Sequence, residues 1–136
     1  FGVRPDVITY NAAISACEKG AQWPEALGLF YDMRGRRLDP DVITCSAIII
    51  ACERGVQWQL ALALFLDMRW RHVVPNEITC SAIISACGKG AQWLAALGLF
   101  SGLRQRMCNL DLVTYNAAIS ACEKGAQWQQ ACGVFA

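Results

Sequence analysis

Histidine is almost missing from this chain: His72 is the only one in 136 residues. With it goes most of the general acid–base and metal chemistry that proteins perform near neutral pH. No His–carboxylate pair, no Cys–His pair and no glycine-rich phosphate loop is present, so nothing catalytic is visible, and His72 itself stands in a variable Trp70-Arg71-His72 stretch expected to face solvent. Charge is scarce too. Acidic and basic residues make up 17% of the chain and nearly cancel at a net +1, which argues against a strong sequence-independent grip on a polyanion. Long apolar runs are absent although 55% of residues are hydrophobic. The longest uncharged stretch, Gly90 to Leu103, has fourteen residues with Gln92, Ser101 and several glycines inside it. A membrane-spanning helix needs roughly 18 apolar residues, so no membrane association is expected. No signal or transit peptide is recognisable, and strand periodicity appears nowhere.

Cysteine, by contrast, is plentiful, with eight residues. No C-x-x-C pair occurs, so the short ligand spacing of a zinc site is lacking, and neither metal nor cofactor is expected. Cys17, Cys52, Cys87 and Cys122 occupy one recurring register, and Cys45 and Cys80 another. Cys45 and Cys52 are seven residues apart on one predicted helix, roughly 10 Å by helical rise, too far to bridge. They read as small buried hydrophobes of a reducing compartment.

That register comes from a unit of 35 residues. Asp6-Val-Ile-Thr-Tyr-Asn, Asp41-Val-Ile-Thr-Cys-Ser, Asn76-Glu-Ile-Thr-Cys-Ser and Asp111-Leu-Val-Thr-Tyr-Asn each open a copy. Periods of about 20–50 residues denote stacked solenoids in which each unit buries its apolar face on its neighbours. The expected units are 6–40, 41–75, 76–110 and a shortened 111–136, with 1–5 as the tail of a preceding one. Neither end resembles a polar capping unit, so the chain reads as a piece of a longer array.

Each unit predicts two helices. The first starts after Pro5, Pro40 or Pro75 with Asp6, Asp41, Asn76 or Asp111 as N-cap. Its stripe, Tyr10, Ala13, Ile14 and Cys17 in the first unit, has the i, i+3, i+4, i+7 spacing of one helical face. Gly20, Gly55, Gly90 and Gly125 follow a basic residue and suit a left-handed C′ position. The second helix carries Ala26, Leu29, Phe30 and Met33 and their equivalents, and ends in arginines that complement its carboxyl-end partial charge. Trp23, Trp58, Trp93 and Trp128 recur at the turn between helices, where packing is the ordinary role and base stacking the alternative. The fold class is all-α, about four helical hairpins.

Removing the packing stripe leaves a second face on each first helix. At 100° per residue, Ile8, Ser15 and Lys19 lie within about 20° of one azimuth, with Asn11 about 60° aside. Ile43, Ser46, Ile50 and Arg54 follow, then Ile78, Ser81, Ser85 and Lys89, then Val113, Asn116, Ser120 and Lys124. The small polar slot reads Asn11, Ser46, Ser81, Asn116. These are indifferent helix formers, and they vary while their surroundings hardly change, as a reading code or neutral drift would have it.

The Val-Thr-Tyr-Asn opening, the central Cys, the Gly turn, the Ala-Leu-x-Leu-Phe-x-x-Met helix and the terminal Pro-Asp resemble the pentatricopeptide repeat family over essentially the whole chain. The resemblance implies a right-handed α-solenoid that binds single-stranded RNA, one base per repeat read by two or three side chains. It pairs Asn11 with Asp41, Ser46 with Asn76 and Ser81 with Asp111 as base readers, and leaves Asn116 without its partner. Ile8, Ile43, Ile78 and Val113 would wedge bases, and Lys19, Arg54, Lys89 and Lys124 would reach phosphates. The implied message is U, A, G and then a pyrimidine, 5′ to 3′ from the amino end. Two positions depart from the pattern: Leu110 replaces the terminal Pro, and Ile50 replaces a Ser. Glu18, Glu53 and Glu123 directly precede Lys19, Arg54 and Lys124 and dilute the local field.

The resemblance implies a non-enzymatic binder in mitochondria or chloroplasts, acting in RNA processing, stability or translation, with other RNA-processing proteins as further partners. A protein-binding scaffold of the tetratricopeptide type is the alternative; its period of about 34 and its Trp-x-x-Leu-Gly-x-x-Tyr pattern are both missing here. Asp41, Asn76 and Asp111 remain open between helix cap and base reader, and one residue can be both.

Overall fold

A computed structural model describes residues 6–90, 92–106 and 112–124, and every regular element among them is an α-helix. The order is α1 (Val7–Lys19), α2 (Trp23–Gly35), α3 (Val42–Arg54), α4 (Trp58–Trp70), α5 (Glu77–Lys89), α6 (Trp93–Arg106) and α7 (Leu112–Lys124). α1, α3 and α5 start where a short polar side chain satisfies an otherwise orphaned amide. The carboxylate of Asp6 accepts from Thr9 N at 2.9 Å, that of Asp41 from Thr44 N at 2.9 Å, and the Asn76 amide oxygen from Thr79 N at 3.0 Å. At Asp41 and Asn76 the threonine hydroxyl also accepts from the capping residue's own N–H, closing a reciprocal box.

The helix ends correct the expectation for the recurring glycine. Gly20, Gly55 and Gly90 have φ of −85°, −82° and −83°, and the left-handed residue is the next one, Ala21 at 56° and Val56 at 55°. Both wide bonds of a Schellman ending are made, with Gln22 N donating to Cys17 O at 2.8 Å and Ala21 N to Glu18 O at 3.1 Å. The glycine is there for space. A Cβ on Gly55 would lie 2.3 Å from Trp23 Cδ1, and one on Gly90 would lie 2.2 Å from Trp58 Cδ1. Each of these two indoles therefore rests on the bare backbone of the next unit, and its packing role is settled. α2 and α4 end likewise, with Arg37 and His72 left-handed at φ 60° and 61°.

Inside the stack lie Ile14, Ile48, Ile49, Ile83 and Ile84 of the odd helices and Phe30, Met33, Phe65 and Met68 of the even ones, all essentially without solvent exposure. Cys45, Cys52, Cys80 and Cys87 are buried with them. Burial pushes the Cys45 and Cys52 thiols up to about 11, so they behave as apolar filler rather than nucleophiles. Neighbouring odd helices pack directly on one another (α1 on α3, α3 on α5, α5 on α7). The backbone of each even helix packs on the odd helices before and after it, and α2 reaches α4 through the ion pair of Arg34 with Asp67 at 3.3 Å. The layer whose backbones pack directly is the tighter one, so this α-solenoid curls around its odd helices and their free face lines the hollow.

Candidate nucleic-acid interface

Ile8, Ile43 and Ile78 stand in one row on that face, 77%, 60% and 57% exposed. A repeated large aliphatic held out in water contributes nothing to the core, and such a row marks a surface that something apolar and flat can cover. Beside it runs the polar slot, whose members differ in exposure. Asn11 and Ser81 are half-buried, Asn116 is exposed, and Ser46 is 7% exposed. The column is therefore not uniformly displayed.

The two resolved pairs also differ in contact. Asn11 Nδ2 donates to both oxygens of Asp41, at 3.2 and 3.4 Å, and the hydroxyl of Thr44 donates to Asn11 Oδ1. An Asn amide has two N–H groups and two lone pairs, so half its capacity is left over by these contacts. Ser46 does not reach Asn76 directly. Its Oγ lies 2.7 Å from Thr79 Oγ1, which in turn donates to Asn76 Oδ1 at 3.0 Å. Asp41 and Asn76 thus cap their helices and also belong to the inter-unit polar network. Burial works to raise the Asp41 pKa, but the Thr44 N–H, the Thr44 hydroxyl and the Asn11 amide outweigh it and hold the carboxyl below its ordinary value.

Lys19, Arg54 and Lys89 are exposed along the far edge of the same face, and two of them are engaged. Arg54 Nη1 lies 3.2 Å from Glu18 Oε2 and also donates to the Glu18 carbonyl at 3.3 Å. Lys89 Nζ lies 2.6 Å from Glu53 Oε1, which accepts from Ser85 Oγ at 2.8 Å as well. Each glutamate reaches forward to the cation of the next unit, more than it serves the cation beside it in sequence. Asp111 and Leu110, and the side chains of Val113 and Lys124, lie outside the described residues.

Between α3, α5 and α7 the face deepens into a groove of about 520 Å³ lined by Ile50, Glu53, Ile78, Ser81, Ser85 and Asn116, among others. Wedge, polar slots and carboxylate converge there, and Ile50 fills its departure from the Ser pattern as half-buried groove wall. His72 is exposed. Thr44, Thr79, Glu18 and Glu53 were not singled out as site residues by sequence reasoning. The available signal was recurrence by register, Thr9, Thr44, Thr79 and Thr114 in every unit and Glu18, Glu53 and Glu123 in all but the third.

Comparison with known proteins gives one consistent result. The PPR repeat family matches residues 5–54 and again 40–89, and the PPR repeat matches 78–108 and 113–136. Among solved structures, the pentatricopeptide repeat protein PPR10 in complex with an 18-nt psaJ RNA element superposes with a TM-score of 0.87 at 28% identity, covering 98% of this chain. PPR10 from maize superposes with a TM-score of 0.77 at 30% identity, again over 98% of this chain. The chain spans about one-fifth of the length of those structures, 20% and 19%. No curated protein shows significant similarity to it.

Proposed function

The chain belongs to the pentatricopeptide repeat family, and from that premise we propose that it binds single-stranded RNA through the odd-helix face, one base per unit, without catalysing a reaction. The observation that carries the reading is the row of Ile8, Ile43 and Ile78, exposed on the hollow of the solenoid beside a polar slot that changes from unit to unit. An unstacked base offers a flat apolar face to such a wedge and a hydrogen-bonding edge to the slot. The likeness to a PPR10 structure that contains RNA supports the same face.

In this reading the units 6–40, 41–75, 76–110 and 111–136 are the modules. Asn11 with Asp41 takes U, because an amide with one donor and one acceptor free matches a uracil edge. Ser46 with Asn76 takes A, Ser81 with Asp111 takes G, and Asn116 takes a pyrimidine. Lys19, Arg54, Lys89 and Lys124 lie along the phosphate path, and Val113 completes the wedge row. The place of action is a mitochondrion or a chloroplast, and the act is covering RNA or recruiting RNA-processing proteins to it.

Selection from a random single-stranded RNA pool tests this, repeated with Asn11→Ser and Ser46→Asn. The enriched motif is expected to change at the position facing the altered unit. An unchanged motif refutes the code. Failure to enrich any RNA refutes RNA binding and leaves the tetratricopeptide-like scaffold in its place.

A further inference from the structure

The two cations resolved next to a preceding unit are both neutralised by it. Glu18 reaches from the end of α1 to Arg54 at the end of α3, and Glu53 from α3 to Lys89 at the end of α5, at 3.2 and 2.6 Å. Both carboxylates are largely withdrawn from water, with side-chain exposures of 12% and 14%. Glu18 Oε2 is fully buried and makes no hydrogen bond, so its one compensation is the guanidinium of the next unit. Glu53 is fixed further by Ser85 and forms part of the groove wall. A glutamate that served only as a solvated helix end would need neither burial nor a fixed forward partner. The arrangement breaks at Gly88, which stands at the register of Glu18 and Glu53, so the sequence supplies no carboxylate at that register to face the cation of the following unit.

We infer that Glu18 and Glu53 are specificity-determining residues: they hold down the sequence-independent attraction of this face for phosphate, so that the base slots decide which RNA stays bound. The inference rests on the proposed RNA-binding reading and extends it. A phosphate approaching Arg54 or Lys89 meets a cation already paired and a second anion directly behind it. Lysine has three donors and arginine five, so phosphate contact is still geometrically open, but its electrostatic gain is largely cancelled. Of the gain from binding, less comes from the backbone that every RNA shares, and more from the wedges and polar slots that differ between units. The near-neutral net charge of +1 is then part of the design of the face, not an obstacle to its use.

The test uses the whole 136-residue chain with Glu18→Gln, Glu53→Gln and the double variant, and Glu25→Gln on α2 of the outer layer as a control with the same charge change. Glutamine keeps the shape of the side chain and an acceptor for Ser85; far-ultraviolet circular dichroism checks that helicity is retained. Anisotropy titrations across a potassium chloride series use two labelled single-stranded oligoribonucleotides, one carrying 5′-UAG and one with that core scrambled. Removing a unit charge that stands behind the cation, about 7 Å from a phosphate, changes affinity about two- to threefold in a water-like dielectric. Each inner variant is therefore expected to bind both RNAs about two- to threefold more tightly, to steepen the salt dependence by about 0.7 per released cation, and to lower the ratio of matched to scrambled affinity. Glu25→Gln is expected to leave all three unchanged. Unchanged or weakened binding by the inner variants, with wild type binding normally, overturns the inference alone, since the glutamates would then be positioning the cations for phosphate. An equal response to Glu25→Gln also overturns it. Absence of binding by wild type and double variant alike overturns the RNA reading together with it.

Discussion

The first and second unit boundaries share their apolar parts and a glutamate–cation pair and differ in the polar slot. At the first, Trp23 lies on Gly55; at the second, Trp58 lies on Gly90, and a Cβ on either glycine would approach the indole to 2.3 or 2.2 Å. Glutamate meets cation at both, Glu18 with Arg54 and Glu53 with Lys89. The polar slot diverges. Asn11 spans to a carboxylate and a hydroxyl at the first boundary, whereas Ser46 meets only the Thr79 hydroxyl at the second and is buried doing so. Backbone spacing is therefore set by parts that do not vary, which frees one side chain per unit to vary without disturbing the stack. That separation of support from variable slot is what the proposed modular reading would require.

The sharpest way to break the likeness is to crowd the shared part. Gly55→Ala and Gly90→Ala are each expected to cost about 3 kcal/mol, because the methyl must displace an indole packed against the core. Gly20→Ala, with no side chain against it nearer than Gln22 Cγ at 3.8 Å and a backbone φ that any residue adopts, is expected to be near neutral or slightly stabilising. Urea midpoints of the three variants decide the matter. An equal loss at Gly20 would mean that the glycines are required by the chain reversal and not by the indoles.

A smaller effect should separate the boundaries. Asp41→Ala removes a helix cap and the acceptor of Asn11, and is expected to cost about 2 kcal/mol. Asn76→Ala removes a cap whose network continues through Ser46 and Thr79, and is expected to cost about 1 kcal/mol. Equal losses in the same urea titration would show that the Asn11 contact adds nothing to stability, and that the first boundary differs from the second in geometry alone.

Much of this was legible in the sequence because it is local. The i, i+3, i+4, i+7 stripe in Cys45, Ile48, Ile49 and Cys52 needs only 3.6-residue geometry, and all four are buried. Asp6, Asp41 and Asn76 announce helix starts by their own chemistry, and the structure shows each of them capping. The glycine was misassigned because two physical demands, a left-handed backbone and a close approach, call for the same residue; only the position of Trp23 in space distinguishes them. The forward pairing of Glu18 with Arg54 was hidden for a related reason. Sequence adjacency to Lys19 suggested a local partner, although consecutive helix residues point about 100° apart and do not face each other. Which cation stands opposite depends on how one unit is set on the next, and that comes from the packing of α1 on α3.

The subtlest contrast is one of acid sensitivity. The first boundary holds a carboxylate in its polar slot, Asp41, and the second an amide, Asn76, which does not titrate. Hydrogen bonds from Thr44 and Asn11 keep the folded-state pKa of Asp41 below its ordinary 3.8 despite its partial burial. A depressed carboxyl pKa adds stability that is complete above the ordinary value and is lost as pH falls through the lower folded one. The Thr44 and Thr79 amides report on the caps themselves, so a difference between them falls on Asp41 against Asn76. Asp6 is held low by its bonds from Thr9 in the same way, but no partner from another unit shares it in the described residues. Amide hydrogen exchange between about pH 5 and about pH 2 is expected to show the Thr44 N–H losing protection relative to the Thr79 N–H, with Thr9 following Thr44, once the intrinsic exchange rates at each pH are divided out. Parallel protection of Thr44 and Thr79 down to the lowest pH would mean that the protonated acid caps α3 as well as the carboxylate does, and that the charge on Asp41 serves the face of the groove instead of the fold.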